Sequence, residues 1–206
     1  MAAPRPARSL TIPVDADLGA ASDRSAVIVR AHPPASLERW RRRCVGQAAI
    51  GLPAHVTMLY PFVTAERLGP AVRERLAAVA SRHAPISHLL EGPRVWPDVV
   101  YLSLYPSEPF AALQRDLGHA FPDFPIYGPE FDLAFVPHVT IAEEVAGCVS
   151  LGDPAWRSLP RAALAAALEV IARPADGPWR TVWRIPLGGR AHGGAAAGRR
   201  STTARR

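Results

Sequence analysis

The tripeptide His-Val-Thr occurs twice in this chain, first at His55 and again at His138, 83 positions later. Only seven of the 206 residues are histidine, so a chance second copy is improbable and an internal repeat is the first hypothesis. Both copies, HVTMLYPF and PHVTIAEE, are rich in strand-forming residues and lie next to a proline. A strand that recurs in this way predicts two structural units built alike.

The hydrophobic pattern predicts similar elements around the two copies. A strand and a helix come before the first copy, at residues 25–31 and 36–45. A helix and a strand pair follow it, at residues 68–83, 86–96 and 99–105. The first copy is therefore expected to lie on a strand between two helices.

A helix that begins at Ser107 or Glu108 precedes the second copy. A final helix that begins at Asp153 and Pro154 follows it, and then two closing strands, ALEVIAR and WRTVWRIPL. Each HVT strand is thus followed by a helix and two strands. This order predicts an α+β fold of two similar lobes, with the HVT strands in equivalent positions.

Composition divides the chain into three parts. Residues 1–22 are rich in Pro, Ala and Ser without periodicity, and they predict a flexible arm. Residues 23–187 carry the periodic segments and predict a single domain made of two lobes. Residues 188–206 are of low complexity and predict a disordered basic tail.

The net charge of +6 is concentrated at the two ends of the chain. Residues 1–10 and 187–206 contain seven arginines and no acidic residue, which leaves 17 arginines against 18 acidic residues elsewhere. The domain itself is therefore near neutral, and a generally basic nucleic-acid surface is not implied. The chain contains no lysine, which excludes Walker-type NTPases, PLP enzymes and ligases with an adenylated lysine.

Signals for export, membrane insertion and disulfides are missing from the sequence. The arginines near the N-terminus precede no apolar segment, and no apolar run approaches the roughly 20 residues of a membrane helix. Cys44 and Cys148 stand alone, without a CxxC pair, and we expect them to be unpaired in a reducing compartment. The expected location is the cytoplasm, without a membrane partner.

On a β-strand, residues i and i+2 share one face, so each HVT copy presents an imidazole and a hydroxyl side by side. His55 and Thr57 form one such pair, and His138 and Thr140 form the other. A neutral imidazole can accept a proton from an attacking oxygen while a charged one gives a proton to the leaving oxygen. Hydroxyl donors stabilise charge that develops on a phosphate. The four side chains suit phosphodiester chemistry without a cofactor or a metal.

Two other interpretations of the histidines stay open at this point. Each histidine has an alternative role as a structural residue with satisfied hydrogen bonds. The two together have an alternative role as metal ligands, although zinc needs further ligands and the sequence contains no HxH, HExxH or CxxC pattern.

With these residues in view, the sequence resembles the two-histidine (2H) phosphoesterase superfamily, in its 2′-5′ RNA ligase-like branch. The resemblance rests on two His-x-Thr-x tetrapeptides, His55 to Met58 and His138 to Ile141, on their flanks, and on the closing WRTVWRIPLG. It spans about residues 25–187.

The resemblance implies antiparallel sheets in two lobes with helices outside and an active-site cleft between the lobes. It implies metal-independent hydrolysis of 2′,3′-cyclic or 2′-5′-linked phosphates in RNA ends or small nucleotides. The implied catalytic residues are His55, Thr57, His138 and Thr140. By the same resemblance His138 is the base toward water and His55 the acid toward the leaving oxygen.

The aromatic residues Tyr60, Tyr127 and Phe131 are candidates for stacking a substrate base, and Tyr60 is the one we select. The near-neutral domain favours a short RNA end or a small nucleotide, with the tail adding weak nucleic-acid affinity. We expect a monomer. The alternative is a catalytically idle RNA- or nucleotide-binding module of the same fold.

Overall fold

The computed structural model describes residues 24–124, 135–143, 148–175 and 177–188. The predicted arm and nearly all of the predicted tail lie outside these residues, as do Tyr127 and Phe131. The described residues form eight strands and four α-helices in an α+β fold, as the sequence predicts.

The strands, with their labels in chain order, are β1 (Arg24–Arg30), β2 (His55–Leu59), β3 (Ile86–Trp96), β4 (Val99–Tyr105), β5 (His138–Glu143), β6 (Arg161–Ala165), β7 (Ala167–Arg173) and β8 (Arg180–Pro186). The helices are α1 (Ala35–Cys44), α2 (Gly46–Ala49), α3 (Pro70–Ala80) and α4 (Glu108–Ala120). Helix α3 begins at a proline, which loses no hydrogen bond in the first turn of a helix.

The strands form two antiparallel sheets of four. The first sheet has the order β2-β1-β7-β8, and the second sheet has the order β5-β4-β3-β6. In each sheet the HVT strand is at the edge and pairs with the strand that comes before it in the chain. The two HVT strands therefore occupy equivalent positions, and β2 also contacts β5 across the molecule.

The helix between the paired strands of each sheet packs against the HVT strand of the other sheet. Helix α1 follows β1 and contacts β5, whereas α4 follows β4 and contacts β2. Leu113 and Leu117 of α4 and Leu37 of α1 have no exposed side-chain area. Burying these side chains in one continuous core joins the two sheets and fixes where their edge strands meet.

The final predicted helix is replaced by a short turn and a strand. Asp153 caps this segment, since its carboxylate accepts from the backbone N–H of Ala155 at 2.8 Å. Only the 3-10 turn Pro154–Ser158 forms, because Pro160 cannot donate the next hydrogen bond. Strand β6 follows and pairs with β3. The chain therefore closes with three strands rather than the predicted two.

The two cysteines are joined, so the expectation that they stand unpaired is wrong. Cys44 at the end of α1 and Cys148 after β5 form a disulfide with a Cα–Cα distance of 5.9 Å. They are 104 residues apart in the chain and meet because α1 packs against β5. No local spacing pattern in the sequence signals such a pair.

Candidate active site

The residues of each HVT copy alternate between the core and the opposite face of their sheet. Val56 and Val139 are 2% and 0% exposed, respectively. The histidine and threonine on either side of each valine are half-buried. Each edge strand thus directs one imidazole and one hydroxyl away from the core, as the strand period requires.

Both imidazoles are oriented by the same local hydrogen bond. The Nδ1 of His55 lies 2.7 Å from the carbonyl oxygen of Pro53, and the Nδ1 of His138 lies 2.8 Å from that of Val136. A carbonyl oxygen can only accept, so Nδ1 carries the proton in both rings. When either ring is neutral, its Nε2 is the basic nitrogen and is available to a substrate.

A third histidine shows that this bond alone does not identify a catalytic residue. His88 on β3 makes the same contact with the carbonyl oxygen of Ile86, at 3.1 Å. His88, however, is only 6% exposed, and its ring makes a T-shaped contact with that of Phe110, with 5.0 Å between ring centroids. His55 and His138 differ from His88 in facing away from the core on adjacent edge strands.

Arginines surround His55. Arg30 on β1 is directly opposite His55 in the pairing of β1 with β2. Its guanidinium binds the buried carboxylate of Glu169 through Nε at 3.0 Å and Nη2 at 2.6 Å. Arg41 of α1 is 3% exposed, and it donates to Glu38 at 2.8 Å and to the carbonyl oxygen of Leu52 at 2.8 Å. Both cations are held in place by their partners.

This environment disfavours a positive charge on His55. Burial lowers its pKa to about 4, and the charges of Arg41, His138 and Arg30 act in the same direction, against the hydrogen bond to Pro53. The influence of His138 means that the two imidazoles lie within electrostatic reach of each other. His55 is therefore neutral at neutral pH.

Aromatic rings pack against His138. The Trp96 ring lies 4.7 Å from the His138 ring and the Tyr101 ring lies 5.6 Å from it, both edge-to-face. Burial lowers the pKa of His138, and the hydrogen bond to Val136 opposes this effect. At His55 the charges of Arg41 and Arg30 add to the effect of burial, whereas the causes of the shift at His138 are burial and the opposing hydrogen bond.

The two threonines occupy matching positions next to the imidazoles. Thr57 is opposite Ile28 in the first sheet, and Thr140 is opposite Tyr101 in the second sheet. Among the residues that the structure describes, neither threonine hydroxyl makes a hydrogen bond to the protein. Each hydroxyl remains available to donate to a bound group.

A known protein family matches most of the chain. The family model of the 2′-5′ RNA ligase superfamily matches residues 29–172, a range that contains both HVT copies. The chain belongs to this superfamily. The superfamily is one of 2H phosphoesterases, which supports an enzyme of the phosphoesterase or ligase type.

Solved structures with this superfamily fold resemble the chain at low sequence identity. A phosphoesterase covers 81% of this chain and 98% of its own, with 18% identity and a TM-score of 0.52. E. coli LigT in complex with NADP+ covers 81% and 99%, with 18% identity and a TM-score of 0.51. TT0787 of Thermus thermophilus covers 82% and 100%, with 18% identity and a TM-score of 0.50. At this identity the likeness shows the fold. A search of curated proteins gives no match.

The predicted substrate residue Tyr60 lies just beyond the first HVT copy. It is half-buried and packs against a small cluster formed by Ala26, Ile28, Ile171 and Trp179. Because Ile28 is directly opposite Thr57, this cluster borders the face that carries His55 and Thr57. Contact between Tyr60 and a substrate stays a prediction.

Three residues around the histidines were not predicted from the sequence: Arg30, Trp96 and Tyr101. The alternation within residues 99–105 places Tyr101 on one face of its strand, but the sequence does not show that this face carries His138. Trp96 and Arg30 depend in the same way on strand pairing. In the described ranges no group of three or more His, Cys, Asp or Glu side chains is placed to hold a metal ion.

Proposed function

We propose that this chain is a phosphodiesterase that acts on 2′,3′-cyclic or 2′-5′-linked phosphates of RNA ends or small nucleotides. One observation carries the proposal: two adjacent edge strands each present an imidazole Nε2 beside a threonine hydroxyl, and within the described part of the chain none of these groups has a hydrogen-bond partner. Membership of the superfamily supports the same chemistry.

In the proposed hydrolysis of a 2′,3′-cyclic phosphate, a water oxygen attacks phosphorus as the bond from phosphorus to one ribose oxygen breaks. One imidazole Nε2 takes a proton from the water, and the other gives a proton to the leaving ribose oxygen. The products are a phosphate monoester and a free hydroxyl, and the two rings exchange protons with solvent before the next cycle. Each transfer contributes about 10²–10⁴-fold to the rate.

The surroundings of the two rings suggest their roles. Arg30 and Arg41 favour neutral His55, so we propose His55 as the base. Burial lowers the pKa of both rings, and at His55 the charges of Arg41 and Arg30 add to this effect, so we propose His138 as the acid. This is the reverse of the assignment that the family resemblance implies.

Thr57 and Thr140 are proposed to donate to the non-bridging phosphate oxygens. Charge builds up on these oxygens in the transition state, and a donor already in place costs no reorganisation when that charge appears. Every proton transfer is assigned to an imidazole, and phosphate binding to the two hydroxyls. The proposed reaction therefore uses no metal or cofactor.

A substrate screen in the presence of a chelator tests this function. The purified chain is incubated with 2′,3′-cyclic nucleotides, 2′-5′-linked dinucleotides and cyclic ADP-ribose phosphate, and phosphate monoester products are measured. We expect turnover of at least the cyclic nucleotides, lost in His55→Ala and His138→Ala. Binding without turnover would instead identify the idle nucleotide-binding module. Turnover abolished by the chelator and restored by zinc or manganese would overturn the metal-independent mechanism.

The oligomeric state, the role of the tail and the location are proposed mainly from the sequence. We propose a monomer, with residues 188–206 adding weak affinity for nucleic acid through their arginines. Among the described residues, no helix has both the length and the apolar character needed to cross a membrane. The cytoplasm is the location proposed from the sequence, but the Cys44–Cys148 disulfide favours an oxidising compartment. Alkylation of thiols in freshly lysed cells decides between the two locations.

A further inference from the structure

A cavity of about 560 Å³ lies beside His55, on the side of the first sheet where β1 ends and β2 begins. Its wall includes Pro53, whose carbonyl oxygen orients His55, and Arg30, which is directly opposite His55 in the sheet. Residues directly opposite each other on antiparallel strands have Cα atoms about 5 Å apart. A substrate held by His55 is therefore within reach of this cavity.

The wall of the cavity is rich in positive charge. Arg30, Arg41 and Arg42 line it, and the one carboxylate among the described lining residues is that of Glu38. Glu169 lies outside the wall and binds Arg30. Even with Glu169 counted, the three arginines leave this group with a net positive charge. The cavity thus differs from the near-neutral domain around it and favours an anion.

Two of the arginines differ in how freely they can bind. Arg30 is fixed by Glu169 and also donates from Nη2 to the hydroxyl of Thr181 at 3.1 Å. The side chain of Arg42 is 70% exposed, and its contact with Glu38 is a long one of 3.4 Å through Nε. A guanidinium can donate through its two terminal nitrogens together, which matches the geometry of a phosphate. Arg42 is the arginine with the most freedom to do so.

We propose that this cavity holds a second phosphate group of the substrate, separate from the phosphate that reacts between the histidines. This inference rests on the proposed function, and it adds a specificity site to it. The second phosphate has two sources in an RNA end: a terminal 5′-phosphate on the reacting nucleotide, or the phosphodiester that links it to the preceding nucleotide. The cavity selects substrates that carry such a group over those that carry only the reacting phosphate.

Three substrates separate these sources: uridine 2′,3′-cyclic phosphate, its 5′-phosphorylated form, and the dinucleotide ApU with a 2′,3′-cyclic end. The measured quantity is kcat/KM for each at fixed ionic strength, because salt screens charge. For the wild type we expect at least one substrate with a second phosphate to be preferred by about tenfold, the effect of one charge-assisted contact. Preference for the 5′-phosphate or for the dinucleotide identifies the source, and either supports the site.

Matched variants locate the preference. Arg42→Gln should abolish the preference, so that the ratio of kcat/KM values with and without the second phosphate falls to about 1. The double variant Arg30→Gln with Glu169→Gln should have the same effect, and it leaves no buried carboxylate unpaired. Arg43→Gln is the control, because this exposed neighbour on α1 makes the same charge change but does not line the cavity. Absence of any preference in the wild type, or equal loss in Arg43→Gln, overturns the proposal.

If none of the three substrates turns over, the proposed function fails but the site can still be tested. Calorimetry then compares binding of uridine 3′,5′-bisphosphate with binding of uridine 3′-monophosphate. Tighter binding of the bisphosphate that is lost in Arg42→Gln and kept in Arg43→Gln supports the site. Equal affinity for both nucleotides in the wild type contradicts it.

Discussion

His55 and His138 occupy equivalent positions in the two sheets but have different neighbours. Each is on an edge strand and donates through Nδ1 to the carbonyl oxygen two residues earlier. His55 lies among arginines, whereas His138 lies against the rings of Trp96 and Tyr101. The hydrogen bond that both histidines share sets the same tautomer in both rings. The neighbours differ, and they give the two rings different electrostatic surroundings.

The inequality matters because acid–base catalysis needs two groups in opposite protonation states. A strictly symmetric site would give both imidazoles the same preference. Here the cations beside His55 favour its neutral form. The two sheets thus supply two equivalent positions, and residues outside the HVT copies are proposed to assign the roles.

The helices that cover the two HVT strands differ in a similar way. Helix α4 packs through Phe110, Leu113 and Leu117, which have no exposed side-chain area. The buried side chains of α1 are Leu37, Arg41 and Cys44, so this helix contributes fewer large apolar groups. The disulfide of Cys44 offsets part of that difference by fixing α1 beside β5.

The largest expected effect is on turnover. His55→Ala and His138→Ala should each lower kcat by about 10²–10⁴-fold, since each removes one proton transfer. The double variant should lose much less than the product of the two, because the residues act as a unit. Steady-state kinetics on a cyclic nucleotide measures all three.

The matched control for these variants is His88, which makes the same Nδ1 contact but faces the core. His88→Gln should reduce stability and leave the kcat of the folded protein near the wild-type value. Near wild-type turnover in both His55→Ala and His138→Ala would end the catalytic interpretation.

Loss of the disulfide should destabilise the protein. Cys44→Ala or Cys148→Ala frees a loop of 104 residues in the unfolded chain, and the free energy of unfolding should fall by about 2–5 kcal/mol. Denaturant unfolding measures this loss. A reductant should destabilise the wild type to the same extent and leave the variants unchanged. A wild type that is insensitive to reductant in the unfolding assay would argue against the bond.

The threonine variants test whether the two hydroxyls are equivalent. Thr57→Val and Thr140→Val keep the shape of the side chain and remove the donor, and each should cost about 2–4 kcal/mol of transition-state stabilisation. Thr→Ser should cost less, because the donor is kept. Ratios of kcat/KM provide the measurement, and equal losses for Val and Ser would make the threonines packing residues.

A smaller effect should appear in stability against acid. Above pH 6.5, His55 is neutral in both the folded and the unfolded chain. As the pH falls below 6.5 the unfolded chain binds a proton, but the folded chain does not until its pKa of about 4. Unfolding at a series of pH values should therefore show about 1–3 kcal/mol of stability lost between pH 6.5 and 4 that is missing in His55→Gln. Identical curves for wild type and variant would refute the low pKa.

The sequence predicts much of this arrangement because its signals are local. The alternation around Val56 and Val139 places the four motif side chains, and the periodic segments give most elements in the right order. What it does not predict depends on pairing between distant segments. Arg30 beside His55, Trp96 beside His138, and the disulfide from Cys44 all require the register or packing of strands far apart in the chain.

Strand β6 is another feature that the sequence does not predict because it depends on pairing with a distant segment. Its sequence RAALA has a high intrinsic preference for helix. Pro160 separates it from the preceding turn, and the open edge of β3 provides hydrogen-bond partners for its backbone. The local preference explains why the sequence predicts a helix there. Pairing with β3 overrides that preference and makes the segment a strand.

The pH dependence of kcat/KM for a 2′,3′-cyclic nucleotide, measured with chelator on the wild type and both histidine variants, tests the central claim most directly. The wild type should give a bell-shaped profile whose maximum lies below pH 6.5, because the pKa values of both rings are lowered. The two limbs belong to the coupled pair, so the variants make the assignment. His55→Ala should lose the acid limb, as expected for removal of the base, and His138→Ala should lose the alkaline limb. The opposite pattern would contradict the proposed roles, and a wild-type profile without either limb would contradict acid–base catalysis by this pair.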